Sequence, residues 1–386
     1  ISLLAKNILI EIAWPIMIFY SIWVYNGESA FKYLIPILIF IFLLLFNNIK
    51  KIKKNDYVLL ALVFWSLISL CFNLVNSADD EIHSILFKSL INFILILFFF
   101  IISKQQKINL NNFFKFFILF TFSLFFLSFL KDQTDLAEEA INRLSGLADV
   151  NTFCKFSSLA LYFNLEKNFF KPFIRMIISI SLVFATILTF SKMGFILLLI
   201  VLLSQKINLF KIKFVIPIII SLVIGYLSLK NIESRDIDFL SFLENRILPE
   251  RSDSRIINRL SSDRAYIWEN SLLYWGQYPS TFIFGQGLGT ISLRNNLVFG
   301  HNKSIHNTLI ELFLELGLVG VILYIIFLKA LLKKSTLTLK LLVLIPLFFL
   351  SGPFRYDMFL VFVIINFMKD DFYKVKINQQ INKFGA

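Results

Sequence analysis

Two runs, DRAYIWENSLLYWGQYPSTFIFGQGLGT at 263–290 and IHNTLIELFLELGLVG at 305–320, decide how this chain reads. The second continues as VILYIIFLK, so a polar head leads into an apolar run long enough to cross roughly 30 Å of hydrocarbon as a helix. Into the segment from Asp263 to Gly320 fall Arg264, a Gly-x-Gly-x-Gly turn (Gly285, Gly287, Gly289), His306, Glu311, Glu315, Gly317 and Gly320. Most of the remaining chain is apolar helix. Chemistry is expected here.

Working outward, composition sets the class. Hydrophobic residues make up 58% and charged residues 16%, with a mean hydropathy of +0.76. These values describe a polytopic, all-α integral membrane protein. Phe contributes 47 residues, which suits both lipid-facing and packed helices. The net charge of +13 is distributed as a topology signal and does not point to nucleic acid. Cys71 and Cys154 lie in or beside apolar runs, so a disulfide framework or zinc site is not indicated. The first apolar run leads directly into others and reads as a span, not as a cleaved signal.

The hydropathy pattern predicts spans near 8–25, 30–46, 57–75, 85–103, 113–130, 153–167, 173–190, 193–204, 214–230, 306–328, 340–350 and 354–368, about twelve in all. Alternate connectors carry lysine: Lys50 to Lys54, Lys104 and Lys107, Lys167 and Lys171, Lys206 to Lys213, Lys329 to Lys334, and the tail. The intervening connectors are acidic or neutral. The positive-inside rule therefore places the lysine-rich side and both termini in the cytoplasm. The chain forms one transmembrane domain, 1–386, with a large external loop at 231–305 between the ninth and tenth spans. That loop is expected to carry short amphipathic helices at 237–247 and 264–276, lying at the interface through Trp268, Tyr274, Trp275 and Tyr278.

Arginine, unlike lysine, gathers on the external side: Arg143, Arg235, Arg246, Arg251, Arg255, Arg259, Arg264, Arg294 and Arg355. Its planar fork of donors suits phosphate or carboxylate. Most of these arginines balance the acids of the same loop on a solvated face. Arg143 and Arg264 are set apart by the motifs around them. His306 is expected in the first turn of the tenth span, capped by Ser304, where the helix dipole favours a neutral ring and the backbone N–H groups face an anion. Glu311 and Glu315 share a helix face and read as braces of a loop or neighbouring helix. Gly317 and Gly320 read as points of close helix packing. Ser191–Lys192–Met193–Gly194 reads as a tight external turn, with Lys192 at membrane depth against the trend of the lysines.

HNTLIELFLELGLVG resembles the histidine helix of the O-antigen ligase and O-antigen polymerase superfamily of bacterial envelope glycosyltransferases. DRAYIWENSLLYWGQYPSTFIFGQGLGT resembles that family's arginine–tryptophan stretch leading to a Pro and a Gly-x-Gly turn. RLSGLADVN, with Arg143 and Asn151, and FSKMG, with Lys192, are looser echoes in the same order. The resemblance spans roughly residues 143–320. One departure is that Lys192 stands where the family commonly has arginine, keeping the charge but losing the fork. The resemblance implies a GT-C-like membrane fold in the inner membrane. It also implies metal-independent, cofactor-free transfer of a glycan from undecaprenyl diphosphate to a sugar hydroxyl at the periplasmic face. Within it, His306 would be the base, and Arg264, Arg143 and Lys192 the diphosphate clamp. Asn151, Gly287, Glu311 and Glu315 would support them. The implied partners are the lipid-linked glycan donor, lipid A–core or another glycan acceptor, and membrane lipids.

Three functions compete within that resemblance: ligase, polymerase joining lipid-linked repeats, and protein O-oligosaccharyltransferase. One histidine helix and one large late loop lean towards the ligase. From another class, a lipid-linked-sugar flippase or other transporter would carry internal pseudo-symmetry and charges at mid-membrane. The sequence shows two unlike halves, with charge at the external edge.

Overall fold

The computed structural model describes residues 24–25, 28–29, 57–76, 80–103, 109–130, 150–167, 169–189, 191–204, 264–299, 305–349, 358 and 361–366. Strand β1 (Val24–Tyr25) pairs antiparallel with β2 (Glu28–Ser29). Otherwise the regular structure among these residues is helical. The predicted run 8–25 thus ends in a strand pair, while the rest of that run, the spans at 30–46 and 214–230 and the helix at 237–247 lie outside the described residues.

Helices α1 (Tyr57–Asn76), α2 (Asp80–Ser103), α3 (Leu110–Leu130), α4 (Val150–Glu166), α5 (Pro172–Leu188) and α6 (Lys192–Ser204) follow the hydropathy pattern within a few residues. The largest shift is at α2, which starts five residues early. Asp80 and Glu81 occupy its first turn, where carboxylates oppose the positive helix end. Helix α5 opens on Pro172, whose missing N–H is harmless in a first turn. In the C-terminal part lie α7 (Arg264–Gly276), α8 (Pro279–Phe284), α9 (Ile291–Phe299), α10 (Thr308–Leu332) and α11 (Leu337–Phe349). Helix α7 coincides with the amphipathic stretch expected at 264–276. Residues 361–366 are helical as well.

Among the described residues, two helical stretches are both long and apolar enough to cross a bilayer, Tyr57–Val75 and Thr308–Leu332; Pro172–Ile187, Lys192–Ser204 and Leu337–Phe349 are shorter apolar helices. Helix α4 packs against α3, α5 and α6, α11 against α4, α6 and α10, and α10 against α1 and α8. One continuous core runs through this assembly, including Leu62, Phe93, Phe117, Phe156, Leu182, Leu197, Tyr324 and Leu342. Its rings meet edge-on, as at Phe117–Phe163 and Phe100–Phe327, the arrangement that aromatic quadrupoles favour. Phe64, Phe173, Leu199 and Ile325 point outward instead, as lipid-facing side chains do.

Candidate functional site

Helix α10 is not continuous. Gly317 has φ 69° and ψ −172°, a conformation open to glycine, and it breaks the helix about ten residues in. The break releases backbone carbonyls of buried residues, so each needs a partner. Leu314 O accepts from Gln286 N at 2.7 Å, Glu315 O from Gly287 N at 3.0 Å, and Leu316 O from Trp65 Nε1 at 2.8 Å. Gly317 does serve close helix packing, but as a break point: its bare Cα admits the main chain of α8 at Ile283, whose oxygen lies 2.0 Å from where a Cβ would stand. Gly320 makes room for Leu316 of its own helix, not for a neighbouring one.

The Gly-x-Gly-x-Gly turn is the partner of this break. Gly285, Gly287 and Gly289 all have positive φ. A Cβ on Gly285 would meet the Glu315–Leu316 backbone at 2.2 Å, so each element needs a glycine facing the other's main chain. The buried Glu315 carboxylate accepts from the backbone N–H groups of Gly289 and Ile291. It thereby closes the turn and caps the start of α9 from another element. Glu311, one turn earlier, is buried beside it.

Helix α1 supplies the third side. Trp65, Ser69 and Asn73 recur every four residues and so share one face. Ser69 Oγ donates to Phe284 O at 2.7 Å, and Asn73 Nδ2 to Gly285 O at 3.3 Å. Phe284 stacks between Trp65 and Phe72, with ring centroids 5.7 and 4.5 Å away. Arg294 of α9 reaches Asn73 Oδ1 at 3.5 Å and Thr290 Oγ1 at 3.3 Å.

His306 stands at the head of α10 with φ 50°, half-buried, and is the one non-glycine residue with positive φ among the described residues. It lies before the helix and outside its first turn. The cap is Asn307, whose Oδ1 accepts from Leu309 N and Ile310 N, each at 3.1 Å. Ser304 lies outside the described residues. Two of the donors expected to meet an anion are thus taken by Asn307. Trp268 Nε1 of α7 donates to Ile305 O, and Ile267, Trp275, Ile291, Ile305 and Leu314 form one buried cluster. The arginine–tryptophan helix is thereby fastened to the histidine segment. Arg264 opens α7, one turn before Trp268.

A second polar group forms where α4 meets α6. Ser191 Oγ donates to Asn151 Oδ1 at 2.8 Å and accepts from Gly194 N at 3.2 Å, capping α6. Lys192 is the first residue of α6, with an exposed side chain. Close approach of the helices depends on Gly194, where a Cβ would lie 2.7 Å from Cys154 Sγ. The two looser sequence echoes thus meet through one hydrogen bond. Arg143 lies outside the described residues. The reading from sequence missed the Trp65–Ser69–Asn73 face and the buried Lys155. Polar residues at four-residue spacing in an apolar helix, and a cation inside a span, were the signals available.

Residues 177–325 match the family model described as O-antigen ligase. The match takes in FSKMG, the arginine–tryptophan stretch and the histidine helix, and it is consistent with the resemblance read from the sequence; RLSGLADVN precedes it. No curated protein matches the chain. The match supports an enzyme of the O-antigen ligase and polymerase type, a class of bacterial membrane glycosyltransferases acting on lipid-linked glycans and their acceptors.

Proposed function

From that family match we propose that the chain is a twelve-span O-antigen ligase-type glycosyltransferase of the bacterial inner membrane. Its termini would be cytoplasmic, its loop 231–305 periplasmic, and its acceptor a sugar hydroxyl of lipid A–core. The observation carrying this reading is the Trp268–Ile305 bond, which ties the head of α10 to the helix that Arg264 opens. In the proposed step His306 takes the proton of the acceptor hydroxyl. The freed oxygen attacks the anomeric carbon while the bond to undecaprenyl diphosphate breaks on the opposite face, giving inversion. Arg264, Arg143 and Lys192 stabilise the charge growing on the leaving diphosphate. Asn151, through Ser191, holds the head of α6, Glu315 and Gly287 hold the broken helix and its loop, and Glu311 would support them from one turn earlier.

The test is transfer by purified protein from a lipid-linked glycan. His306→Ala should lose roughly 10²- to 10⁴-fold in rate, as loss of a general base does, with donor binding kept. Near-normal transfer would remove His306 from the role. The acceptor is tested by the glycan of a deletion strain. Lipopolysaccharide without polymer, with lipid-linked polymer accumulating, is the expected phenotype; single repeats still joined to core would assign polymerase instead.

A further inference from the structure

Between Glu269 and Arg294 the chain carries no charged side chain, although this stretch lies in the loop read as external. Helix α8 and the glycine turn occupy its centre, and on α8 Phe282 is 50% exposed and Ile283 46%. Apolar surface of that size is costly to leave in water. The backbone beside it is satisfied from within the protein. Pro279 has no N–H, Thr281 N and Phe282 N donate to Tyr278 O, and Gly285 N donates to Thr281 O. Gln286 N and Gly287 N donate to α10, while Phe284 O and Gly285 O accept from α1. The Gln286 side-chain amide donates to Thr281 Oγ1, and Thr290 Oγ1 donates to Gln286 O and Gly287 O at 2.8 and 2.9 Å. Irregular backbone satisfied in this way meets the condition for lying at membrane depth.

The docking point sets the height. Ile283 O faces Gly317, nine residues after Thr308, or about 14 Å along α10. The whole of α10, 25 residues, is about 37 Å long. With about 30 Å of hydrocarbon centred on that length, Gly317 lies about 10 Å inside the boundary, and Ile283 lies beside it. The Phe282 ring meets Phe313 of α10 edge-on at 5.9 Å, and the next α10 residues outward of Gly317, Leu318 and Ile322, are exposed apolar side chains. The α8 face thus adjoins the outward face of the span.

We propose that α8 and the glycine turn are a re-entrant element, sunk into the external leaflet with Phe282 and Ile283 against the acyl chains of bilayer lipids. Helix α7, joined to α8 by Gln277 and Tyr278, is thereby anchored to the bilayer at its C-terminal end. This inference rests on the reading of α10 as a span given under the proposed function.

The test places a nitroxide label at Phe282→Cys or Ile283→Cys in the full chain carrying Cys71→Ser, with the buried Cys154 kept. The nanodiscs contain phosphatidylethanolamine and phosphatidylglycerol, so acyl chains are the hydrocarbon present. Glu269→Cys, at an exposed charged position, is the water reference, and Ile325→Cys on α10 is the lipid reference. Collisions with a polar nickel chelate, which hydrocarbon excludes, should fall about tenfold below those at Glu269 at both α8 positions. Collisions with oxygen, which hydrocarbon admits, should come within about twofold of those at Ile325. Nickel access equal to that at Glu269, with Ile325 protected, overturns the inference. Protection from nickel and oxygen together overturns it too, because that marks a face covered by protein. The two α8 positions are separate variants, so if one fails to fold the other decides. Nickel access at Ile325 equal to that at Glu269 would instead overturn the span reading of α10, and this inference with it.

Discussion

Replacing Gly317 by alanine separates a broken α10 from a straight one by the sign of the effect. In an uninterrupted helix, alanine for glycine stabilises by about 1 kcal/mol. Here the new Cβ would stand 2.0 Å from Ile283 O and 2.4 Å from its carbon, at φ 69°. Backbone strain of that kind costs on the order of 1–3 kcal/mol. Relief requires α8 to move away, stretching the bonds from Gln286 N to Leu314 O and from Gly287 N to Glu315 O, each worth about 1 kcal/mol. The sum is a loss of roughly 3–5 kcal/mol from those contributions. Gly276→Ala is the matched control, because no atom lies within 4 Å of its Cβ position. It should be neutral or slightly stabilising. Reversible unfolding in mixed micelles by denaturant titration measures both. A stabilised Gly317→Ala protein would refute the break and the loop docking built on it.

Asn307→Ala removes the side-chain acceptor for Leu309 N and Ile310 N and should cost about 1 kcal/mol by the same titration. Transfer should fall as His306 loses its fixed backbone, and Asn307→Asp should restore both. Glu315→Ala leaves the Gly289 and Ile291 amides without their acceptor and should destabilise by about 2–4 kcal/mol. Hydrogen exchange at those two amides should accelerate, and Glu315→Gln should be milder because it retains one carbonyl oxygen. Gly194→Ala should push α6 from α4 at Cys154 and cost about 1–3 kcal/mol, with Asn151–Ser191 loosened and donor binding weakened.

Apolar runs of ordinary length placed α1, α3, α4, α5 and α6 within three residues, since a span's signal is a continuous block that needs no partner to be read. Local motif chemistry also located α7 and the glycine turn. What stayed hidden depends on contacts distant in sequence. Gly317 looks the same in a string whether it lies in a helix or breaks one; only the approach of Ile283 distinguishes the cases. Trp65 reads as a lipid-facing aromatic until Leu316 O is released opposite it. The cap at α10 was misplaced by three residues because Ser304 and Asn307 are both good caps, and the choice turns on where the chain enters the bundle.

The broken helix explains why so many polar and glycine residues share one segment. A straight helix from 308 to 332 would satisfy its own backbone and bind α8 only through side chains. Breaking it at Gly317 exposes three successive carbonyls, and the groups that take them come from α1 and from the glycine turn. Glu315 adds a tie from the opposite direction, through its carboxylate to Gly289 and Ile291. The first half of α10 is thus held by hydrogen bonds to fixed backbone, which resist rotation in a way that apolar packing alone does not. His306 stands at the free end of that half-helix, eleven residues before the break at Gly317. Its left-handed backbone, the Asn307 cap and the Trp268 bond to Ile305 are therefore parts of one rigid arrangement. In the step proposed for His306, a base that must meet a sugar hydroxyl within hydrogen-bond reach would need that rigidity more than a regular helix behind it.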